Sequence, residues 1–310
     1  MQNRKLLIIY SQNSPAAEFV LQGVDIDNVD ILKVQFKESL FNKLLYFMFY
    51  KLKFFKLSSY FRFESNFRKL ISEQNGKILF WDCCDLFLYK LLLTECQQCT
   101  KKSIFFWNPL GLHKSERVHV DMMLGWLRKH DIALSTFDPN DSVQYGLELY
   151  CNVNRKVDIA KAENDCDFYF VGLPKGREKE LNKIKIILES KGYKTKFIIP
   201  KNKNEYISQM QNIQFSAKTK CIVDLVSVKY GQSGLTLRPF DALFLKKKLL
   251  SNCKSLIKYD FFHKNNIFIF SDETTENEIE KFMGLPYKEI DKNIVDKYEI
   301  NNWLKKYYLS

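Results

Sequence analysis

The sequence predicts an α/β protein with two parallel sheets, each covered by helices. The chain of 310 residues exceeds the usual size of a single hydrophobic core. Its 46% hydrophobic content can fill two cores. Short apolar runs alternate with helix-compatible segments, which is typical of a doubly covered sheet. We therefore expect one domain at residues 1–155, a polar linker at 151–164, a second domain at 165–290 and a final helix at 291–310.

The N-terminal half contains five runs that predict strands, with a helix candidate between most neighbours. The first run is continuously apolar, as in a strand that is buried on both faces. The strands are predicted at residues 5–9, 30–34, 77–81, 103–107 and 132–136, and the clearest helix at 118–129. This alternation favours a parallel sheet.

Polar residues follow the ends of these predicted strands, where ligands of parallel sheets bind. A carboxylate at such an end could take a proton from a substrate hydroxyl, which makes Asp82, with Asp85 nearby, the first candidate for a catalytic base. His113 is the competing candidate. Each can equally be a capping or surface residue. Asp138 has a structural explanation, because the following Pro and a carboxylate at Asp141 are typical of a helix start.

Residues 33–69 combine nine Lys or Arg with two Glu and twelve Phe or Tyr. A basic helix of this composition can lie in the interface of an anionic membrane with its apolar side down. The residues expected at that surface are Lys51, Lys53 and Lys56. The alternative is a core helix with a solvated lysine face.

Several classes of protein are disfavoured by composition. No run of about eighteen apolar residues occurs and the N-terminus lacks a signal-peptide pattern, so we expect a cytoplasmic protein. The net charge of +12 would suit nucleic acid, but no recognisable nucleic-acid module is present, and nucleic acid is not expected as a partner. The eight cysteines are irregularly spaced, which argues against a disulfide framework. Cys96 and Cys99 do not match the common zinc spacings either, and no metal site is expected.

The second half opens with a buried strand at 167–171, a Gly/Pro turn and a helix that reaches about Lys191. This is how a nucleotide-binding α/β half begins. Gly172 lies in the turn, and Lys175 and Arg177 follow it. These basic residues either contact phosphate or form an ordinary charged loop.

The most informative stretch is a glycine-bearing loop that leads into a short helix from about Arg238. Gly231 and Gly234 permit positive φ, and the first amides of a helix lack internal partners, so an anion is expected there. Arg238 adds a full positive charge at the N-terminus of this helix, where the helix dipole is itself positive and disfavours a cation. Asp241 follows closely enough to accept hydrogen bonds from a sugar. The alternative is a tight turn with a surface arginine.

Residues 234–251 resemble the donor-site segment of bacterial two-domain GT-B glycosyltransferases, especially those that make lipopolysaccharide or capsule. The resemblance covers about residues 165–304, and the N-terminal half only in its pattern of elements. It implies two Rossmann-like domains with a donor cleft between them and a terminal helix that packs back on the first domain. The implied donor-binding residues are Gly172, Lys175, Arg177, Gly234, Leu235, Thr236, Arg238 and, for the ribose, Asp241.

In such an enzyme the nucleotide-sugar is a substrate, and no cofactor or metal is implied. The acceptor would be a saccharide or a lipid-linked oligosaccharide at the inner face of the membrane. Ser233 stands where many members carry a glutamate, and Lys246 to Lys248 replace a glycine, so the donor sugar and the anomeric outcome stay open. The alternatives are a non-catalytic nucleotide- or glycan-binding protein of the same fold and, further away, a basic nucleic-acid-binding protein.

Overall fold

Two parallel sheets organise the chain, as the sequence predicts. The computed structural model describes residues 6–11, 14–82, 85–110, 117–160, 163–174, 176–226 and 233–310. It divides into two units, the first made of Met1–Tyr150 with Leu304–Ser310 and the second of Cys151–Trp303. In the described residues, the first unit holds a sheet of six strands and the second a sheet of five. All their pairings are parallel.

The first sheet has the strand order β2-β1-β3-β4-β5-β6. Its strands are β1 (Leu6–Tyr10), β2 (Val29–Lys33), β3 (Lys77–Trp81), β4 (Lys101–Phe106), β5 (Ala133–Thr136) and β6 (Glu148–Leu149). The five predicted strands are all present, shifted at their ends by a residue or two. The sequence analysis missed β6, because its two residues are both exposed and show no apolar pattern.

Seven helices of this unit are described. They are α1 (Pro15–Leu21), α2 (Leu40–Lys51), α3 (Phe55–Arg62), α4 (Ser65–Ser72), α5 (Leu86–Glu95), α6 (Arg117–Arg128) and α7 (Pro139–Tyr145). The prediction that Asp138 caps a helix is confirmed, because its carboxylate accepts from Asn140 N at 2.9 Å and Asp141 N at 3.3 Å. Apolar residues of the strands and of α4, α5 and α6 form one continuous core.

The basic, aromatic segment is a helical hairpin and not one helix through Lys56. Lys53 adopts a φ of 61°, which a right-handed helix cannot accommodate, and the chain turns there between α2 and α3. Ser58 Oγ donates to the Tyr46 carbonyl at 2.9 Å, and the Phe49 and Phe61 rings stack at 5.5 Å. These contacts hold the two helices together.

The second sheet has the order β11-β10-β9-β7-β8. Its strands are β7 (Cys166–Val171), β8 (Thr195–Ile198), β9 (Thr219–Asp224), β10 (Lys248–Ser251) and β11 (Ile267–Ile269). Its helices are α8 (Glu178–Ser190), α9 (Gln209–Ala217), α10 (Arg238–Phe244), α11 (Glu276–Gly284), α12 (Lys292–Asp296) and α13 (Ile300–Leu304). Two separate apolar clusters, one containing Phe170 and the other Leu235, show that helices cover both faces.

The C-terminal stretch, expected as a single helix, is broken. Asn154 forms an isolated parallel bridge with Glu299, in which Asn154 N donates to the Tyr298 carbonyl at 3.0 Å and Ile300 N to the Asn154 carbonyl at 3.1 Å. These extended contacts interrupt the chain between α12 and α13. A π-helical turn, Lys305–Leu309, then follows α13. In the described part of the chain, no helix has the length and apolar character that crossing a bilayer requires.

Candidate functional site: an arginine pair at the second sheet

Strand order places a crevice at the carboxyl edge of the second sheet. From β7 the chain moves outward to β8 on one side and then returns to β9 on the other. At such a switch point the connections diverge, and doubly wound sheets bind ligands in the gap. Gly172 directly follows β7, and Asp224 is the last residue of β9. Of the residues singled out in the sequence, Gly172, Arg177, Thr236 and Arg238 come together here.

The central feature of this edge is a pair of arginines over one aromatic ring. The guanidinium carbon of Arg177 lies 5.4 Å from the centroid of the Phe170 ring, and that of Arg238 lies 5.0 Å from it. Phe170 is fully buried. A cation near a ring is attracted by the ring's quadrupole, so one phenylalanine helps to hold two like charges side by side.

Arg238 is fixed by the ends of two strands. Its Nη1 donates to Asp224 Oδ1 at 3.1 Å, and its Nη2 donates to the Val171 carbonyl. Asp224 also accepts from Thr236 Oγ1 at 2.9 Å and from Ser251 Oγ at 3.2 Å. Both carboxylate oxygens are therefore occupied, and Arg238 keeps 17% of its side chain exposed while Asp224 is fully buried.

Arg177 is more deeply buried and has no carboxylate partner among the described residues. Its Nη2 donates to the Leu173 carbonyl at 2.9 Å and its Nη1 to the Leu225 carbonyl. Its buried Nε has no hydrogen-bond partner in the described part of the structure. Burial, and then the nearby charge of Arg238, lower the pKa of Arg177 to about 10. Of the two guanidiniums, Arg238 is thus paired with a carboxylate, while Arg177 is held by backbone carbonyls in the described part of the structure.

Gly172 makes the close approach of the two arginines sterically feasible. Its φ of +156° is a conformation that side chains rarely adopt. A Cβ built there would lie 2.7 Å from Arg238 Nη2 and 3.2 Å from Arg177 Nη2. The glycine predicted to face a ligand therefore leaves room for the side chains that would bind it.

Residues of the predicted linker hold the loop before α10. Asn152 Nδ2 donates to the Leu235 carbonyl at 2.7 Å, and Asn154 Nδ2 lies 3.5 Å from the Leu237 carbonyl. The side chain of Leu235 is fully buried in the apolar cluster, and Gly234 before it is buried as well. This loop is therefore anchored from inside the unit, and Leu235 could meet a phosphate only through its backbone.

The start of α10 differs from the expected row of free amides. Arg238 N donates to Thr236 Oγ1 at 3.3 Å, and the amides of Phe240 and Asp241 both donate to the Leu237 carbonyl. Pro239 has no N–H. The short helix thus satisfies its own first donors, which differs from the free amides that the sequence predicts.

Asp241 is enclosed by the unit and only 4% exposed. Its Oδ1 accepts from Asn154 Nδ2 at 2.7 Å. Burial raises the pKa of this carboxyl to about 7, although Asn154 and Arg238 act in the opposite direction. In this arrangement the Asp241 carboxylate supports the start of α10 through Asn154, and its role at a ribose stays a prediction.

The first sheet has a switch point of its own, between β1 and β3, and Asp82 directly follows β3. Asp82 adopts a φ of 53°, which is uncommon for a residue other than glycine. Asn108 Nδ2 donates to its Oδ2. Burial raises the pKa of the Asp82 carboxyl to about 7, and the hydrogen bonds from Asn108 oppose that rise.

A cleft of about 860 Å³ opens beside Asp82, with apolar walls from α5 and α6. Its polar lining in the described residues consists of Tyr50, Asp82, Asp85, Lys90, Asn108 and His119. The sequence analysis missed His119. The position of His119 in the first turn of α6, after the carboxyl end of β4, is a signal that could have found it.

The structure does not place the remaining predicted site residues in either of these two places. Three of them are outside the described residues, namely His113, Lys175 and Gly231. Lys51, Lys53 and Lys56 are all exposed on or beside the α2–α3 hairpin. Over the described ranges, no group of three or more His, Cys, Asp or Glu side chains could hold a metal ion.

Comparison with known proteins finds no matching protein family and no matching curated protein. Solved structures are similar at low identity. A UDP-GlcNAc 2-epimerase from Methanocaldococcus jannaschii has 12% identity and a TM-score of 0.49, with 96% of each chain covered. The pneumococcal O-GlcNAc transferase GtfA has 9% identity and a TM-score of 0.41, covering 78% of this chain and 57% of that one. A DNA-modifying β-glucosyltransferase has 12% identity and a TM-score of 0.38, covering 98% and 92%. At these values the similarity transfers neither substrates nor residue roles to this chain, whose α/β class follows from its own two parallel sheets.

Proposed function

We propose that this chain is a glycosyltransferase that moves a sugar from a nucleotide-sugar to a saccharide acceptor. The observation that carries the proposal is the pair Arg177 and Arg238 at the switch point of the second sheet, where both lie over the Phe170 ring and Arg238 is paired with Asp224. Two adjacent guanidiniums, one of which has no carboxylate partner among the described residues, match a ligand that brings negative charge. The diphosphate of a nucleotide-sugar is such a ligand.

The arginines would act on the leaving group. When the bond between the sugar's anomeric carbon and the diphosphate oxygen breaks, that bond's electron pair stays on the oxygen and negative charge accumulates there. Donors that are already oriented towards this charge stabilise the transition state without reorganising. Arg177 and Arg238 are oriented in advance by the Val171, Leu173 and Leu225 carbonyls. We propose that they perform the charge neutralisation for which other enzymes use a divalent metal.

A new glycosidic bond forms as the acceptor hydroxyl attacks the anomeric carbon, and the hydroxyl proton must go to a base. We assign this role to Asp82, because a carboxyl with a pKa near 7 is partly ionised at neutral pH and can both accept and release a proton. The cleft beside it would bind the acceptor. His119 lines the same cleft and is the second candidate.

The biological setting is proposed on the resemblance of residues 234–251 to the donor segment of enzymes that assemble bacterial surface polysaccharides. The acceptor would then be a saccharide or lipid-linked oligosaccharide of lipopolysaccharide or capsule. The nucleotide-sugar would be the donor substrate, with no further cofactor. The proposed location is the cytoplasm, at the inner face of the membrane.

The proposal is tested by measuring nucleotide affinity with calorimetry for UDP, GDP, CDP, dTDP, ADP and CMP. We expect one nucleotide to bind selectively and Arg238→Ala to weaken it by roughly 10- to 100-fold, since a hydrogen bond to a charged group contributes about 1.5–3 kcal/mol. The control is Lys183→Ala, which removes an exposed cation paired with Asp272 in the same unit and should leave the affinity unchanged.

Two outcomes would contradict the proposal. If Arg238→Ala binds every nucleotide as the wild type does, or if the wild type binds none of them, the arginine pair only ties the strand ends together. If a nucleotide binds through the pair but its sugar conjugate is never turned over with any saccharide acceptor, the chain is instead a non-catalytic nucleotide-binding protein of this fold.

A further inference from the structure

The α2–α3 hairpin is apolar on two opposite faces. Its inner face contributes Tyr46, Tyr50 and Phe55 to the core of the first unit, with the Tyr50 and Phe55 rings 5.3 Å apart. None of the residues of α2 is fully buried. A helix that packs only by its inner face would normally carry polar residues on the outer one.

The outer face of the hairpin is instead a continuous set of exposed large apolar side chains. On α2 they recur with helical spacing, and Leu40, Leu44 and Phe47 are 84%, 69% and 50% exposed. The set continues through the turn into α3. We call these side chains the outer apolar face, which comprises Leu40, Phe41, Leu44, Phe47, Met48, Leu52, Phe54, Leu57 and Tyr60.

Positive charge surrounds the outer apolar face. Residues 40–62 contain five basic residues and no acidic one. Lys43 is paired with Glu38 at 3.1 Å, and the Nζ of Lys51 lies 4.7 Å from the centroid of the Phe47 ring. Lys53 and Lys56 are exposed near the turn of the hairpin. Long basic side chains can extend towards water or headgroups while their stems cover apolar surface.

The apolar side chains and the lysines around them together indicate which kind of partner could cover the outer apolar face. A second copy would place its own Lys51, Lys53 and Lys56 against these three exposed lysines, which disfavours self-association. An anionic lipid surface satisfies both features, because it accepts apolar side chains at the acyl boundary and attracts lysines to its headgroups. We propose that the α2–α3 hairpin docks this protein on anionic membranes, with the outer apolar face inserted and Lys51, Lys53 and Lys56 at the headgroups.

This inference is independent of the proposed sugar transfer, because it rests on a surface of the first unit and the nucleotide would bind the second. The test is flotation of the full chain with phosphatidylcholine vesicles, with and without phosphatidylglycerol, at low and high salt. One variant removes apolar contact (Leu40→Ser, Leu44→Ser, Phe47→Ser). A second reverses charge (Lys51→Glu, Lys53→Glu, Lys56→Glu). The control replaces exposed apolar residues elsewhere (Val143→Ser, Ile186→Ser, Ile257→Ser), which are 87%, 67% and 57% exposed.

We expect the wild type and the control to bind phosphatidylglycerol vesicles equally. The apolar variant should bind at least tenfold more weakly at both salt concentrations, and the charge variant mainly at low salt, where electrostatic attraction is screened least. Every replaced side chain is exposed, so melting temperatures should be unchanged, and circular dichroism serves as a separate check of folding.

The proposal is overturned if the wild type ignores anionic vesicles or if the apolar variant binds them as the wild type does. Light scattering after gel filtration identifies the competing occupant. A wild-type dimer that the apolar variant converts to a monomer, in a protein that does not bind vesicles, would assign the outer apolar face to a second copy.

Discussion

Arg238 Nη1 donates to Asp224 Oδ1 at 3.1 Å, and the carboxylate that receives this bond is fully buried at the end of β9. Asp224 is thus the charge partner of Arg238, while Arg177 beside it relies on backbone carbonyls. The Asp224 carboxylate compensates the charge of one of the two guanidiniums, that of Arg238. The second cation has no carboxylate partner among the described residues.

Replacing Asp224 should test this balance of charge. Breaking a buried ion pair by removing one partner typically costs about 3–5 kcal/mol of unfolding free energy, and for Asp224→Asn we expect about 2–3 kcal/mol because Arg238 keeps some contact with solvent. Added pyrophosphate should raise the melting temperature of this variant more than that of the wild type, because the local charge has increased. Both quantities are measured by denaturant and thermal unfolding.

The matched control is Asp272→Asn, since Asp272 is 90% exposed in its ion pair with Lys183 at 2.9 Å. An exposed pair contributes about 0–1 kcal/mol, so little change is expected. An equal loss of stability in both variants, or an equal response to pyrophosphate in Asp224→Asn and wild type, would show that the arginine pair carries no uncompensated charge.

Gly172→Ala should disturb the arginine pair without removing any charge. The new Cβ would meet Arg238 Nη2 at 2.7 Å, closer than real contacts allow, and the φ of +156° adds backbone strain. We expect a loss of about 1–3 kcal/mol in unfolding free energy and weaker nucleotide binding. Gly192→Ala is the control, because Gly192 also has positive φ but nothing within 4 Å of its Cβ position. Nucleotide affinity that falls equally in both variants would point to strain and not to contact with the arginines.

Asp82 should leave a signature in the pH dependence of stability. Its pKa is raised from 3.8 to about 7 in the folded protein, so the folded state binds this proton more tightly than the unfolded chain does. Stability contributed by the protonated form is present at low pH and is lost as pH rises towards about 7. Asp82→Asn should therefore be more stable than wild type by roughly 2 kcal/mol at pH 8, with the difference disappearing near pH 4. Chemical denaturation across this range measures it.

If Asp82 is the catalytic base, the ionisation of its carboxyl should also control the rate of sugar transfer. The wild-type kcat/KM would rise with pH and level off above about 7, whereas Asp82→Asn would lose that limb and at least about 100-fold in rate. Asp121→Asn replaces an exposed carboxylate on α6 and serves as the control. A pH profile unchanged in Asp82→Asn would remove Asp82 from the reaction and leave His119 as the candidate in this cleft.

Much of the fold was predictable because most strands are short apolar runs, and the segments between them are compatible with helices. The breaks were harder to predict. The turn at Lys53 depends on how α2 and α3 pack on each other, and the interruption before α13 depends on Asn154, which is distant in sequence. Local propensity carries no information about partners of this kind.

The sequence predicted which residues lie at the candidate site, but it did not predict the hydrogen bonds that those residues make. Gly172, Arg177 and Arg238 follow strands that end at one edge, so their proximity could be inferred from the α/β pattern. Two features could not be inferred from the sequence: the first amides of α10 already donate hydrogen bonds, and the Asp241 carboxylate is buried. Both depend on which carbonyls and amides lie nearby in space. His119 was not predicted because its residue type alone is not distinctive; its place in the first turn of the helix after β4 was the available signal.

By itself, the sequence determined that the chain forms two parallel α/β units, that basic residues follow β7 and that an arginine begins α10. It also determined that residues 33–69 are basic and aromatic. These properties follow from the local periodicity and composition of the sequence. Only the tertiary structure decided that Arg177 and Arg238 lie over one ring and that Asp224 pairs with Arg238, and that the outer side of the α2–α3 hairpin stays exposed. Contacts and exposure of this kind arise from strand order and packing, which bring together residues that no local pattern connects.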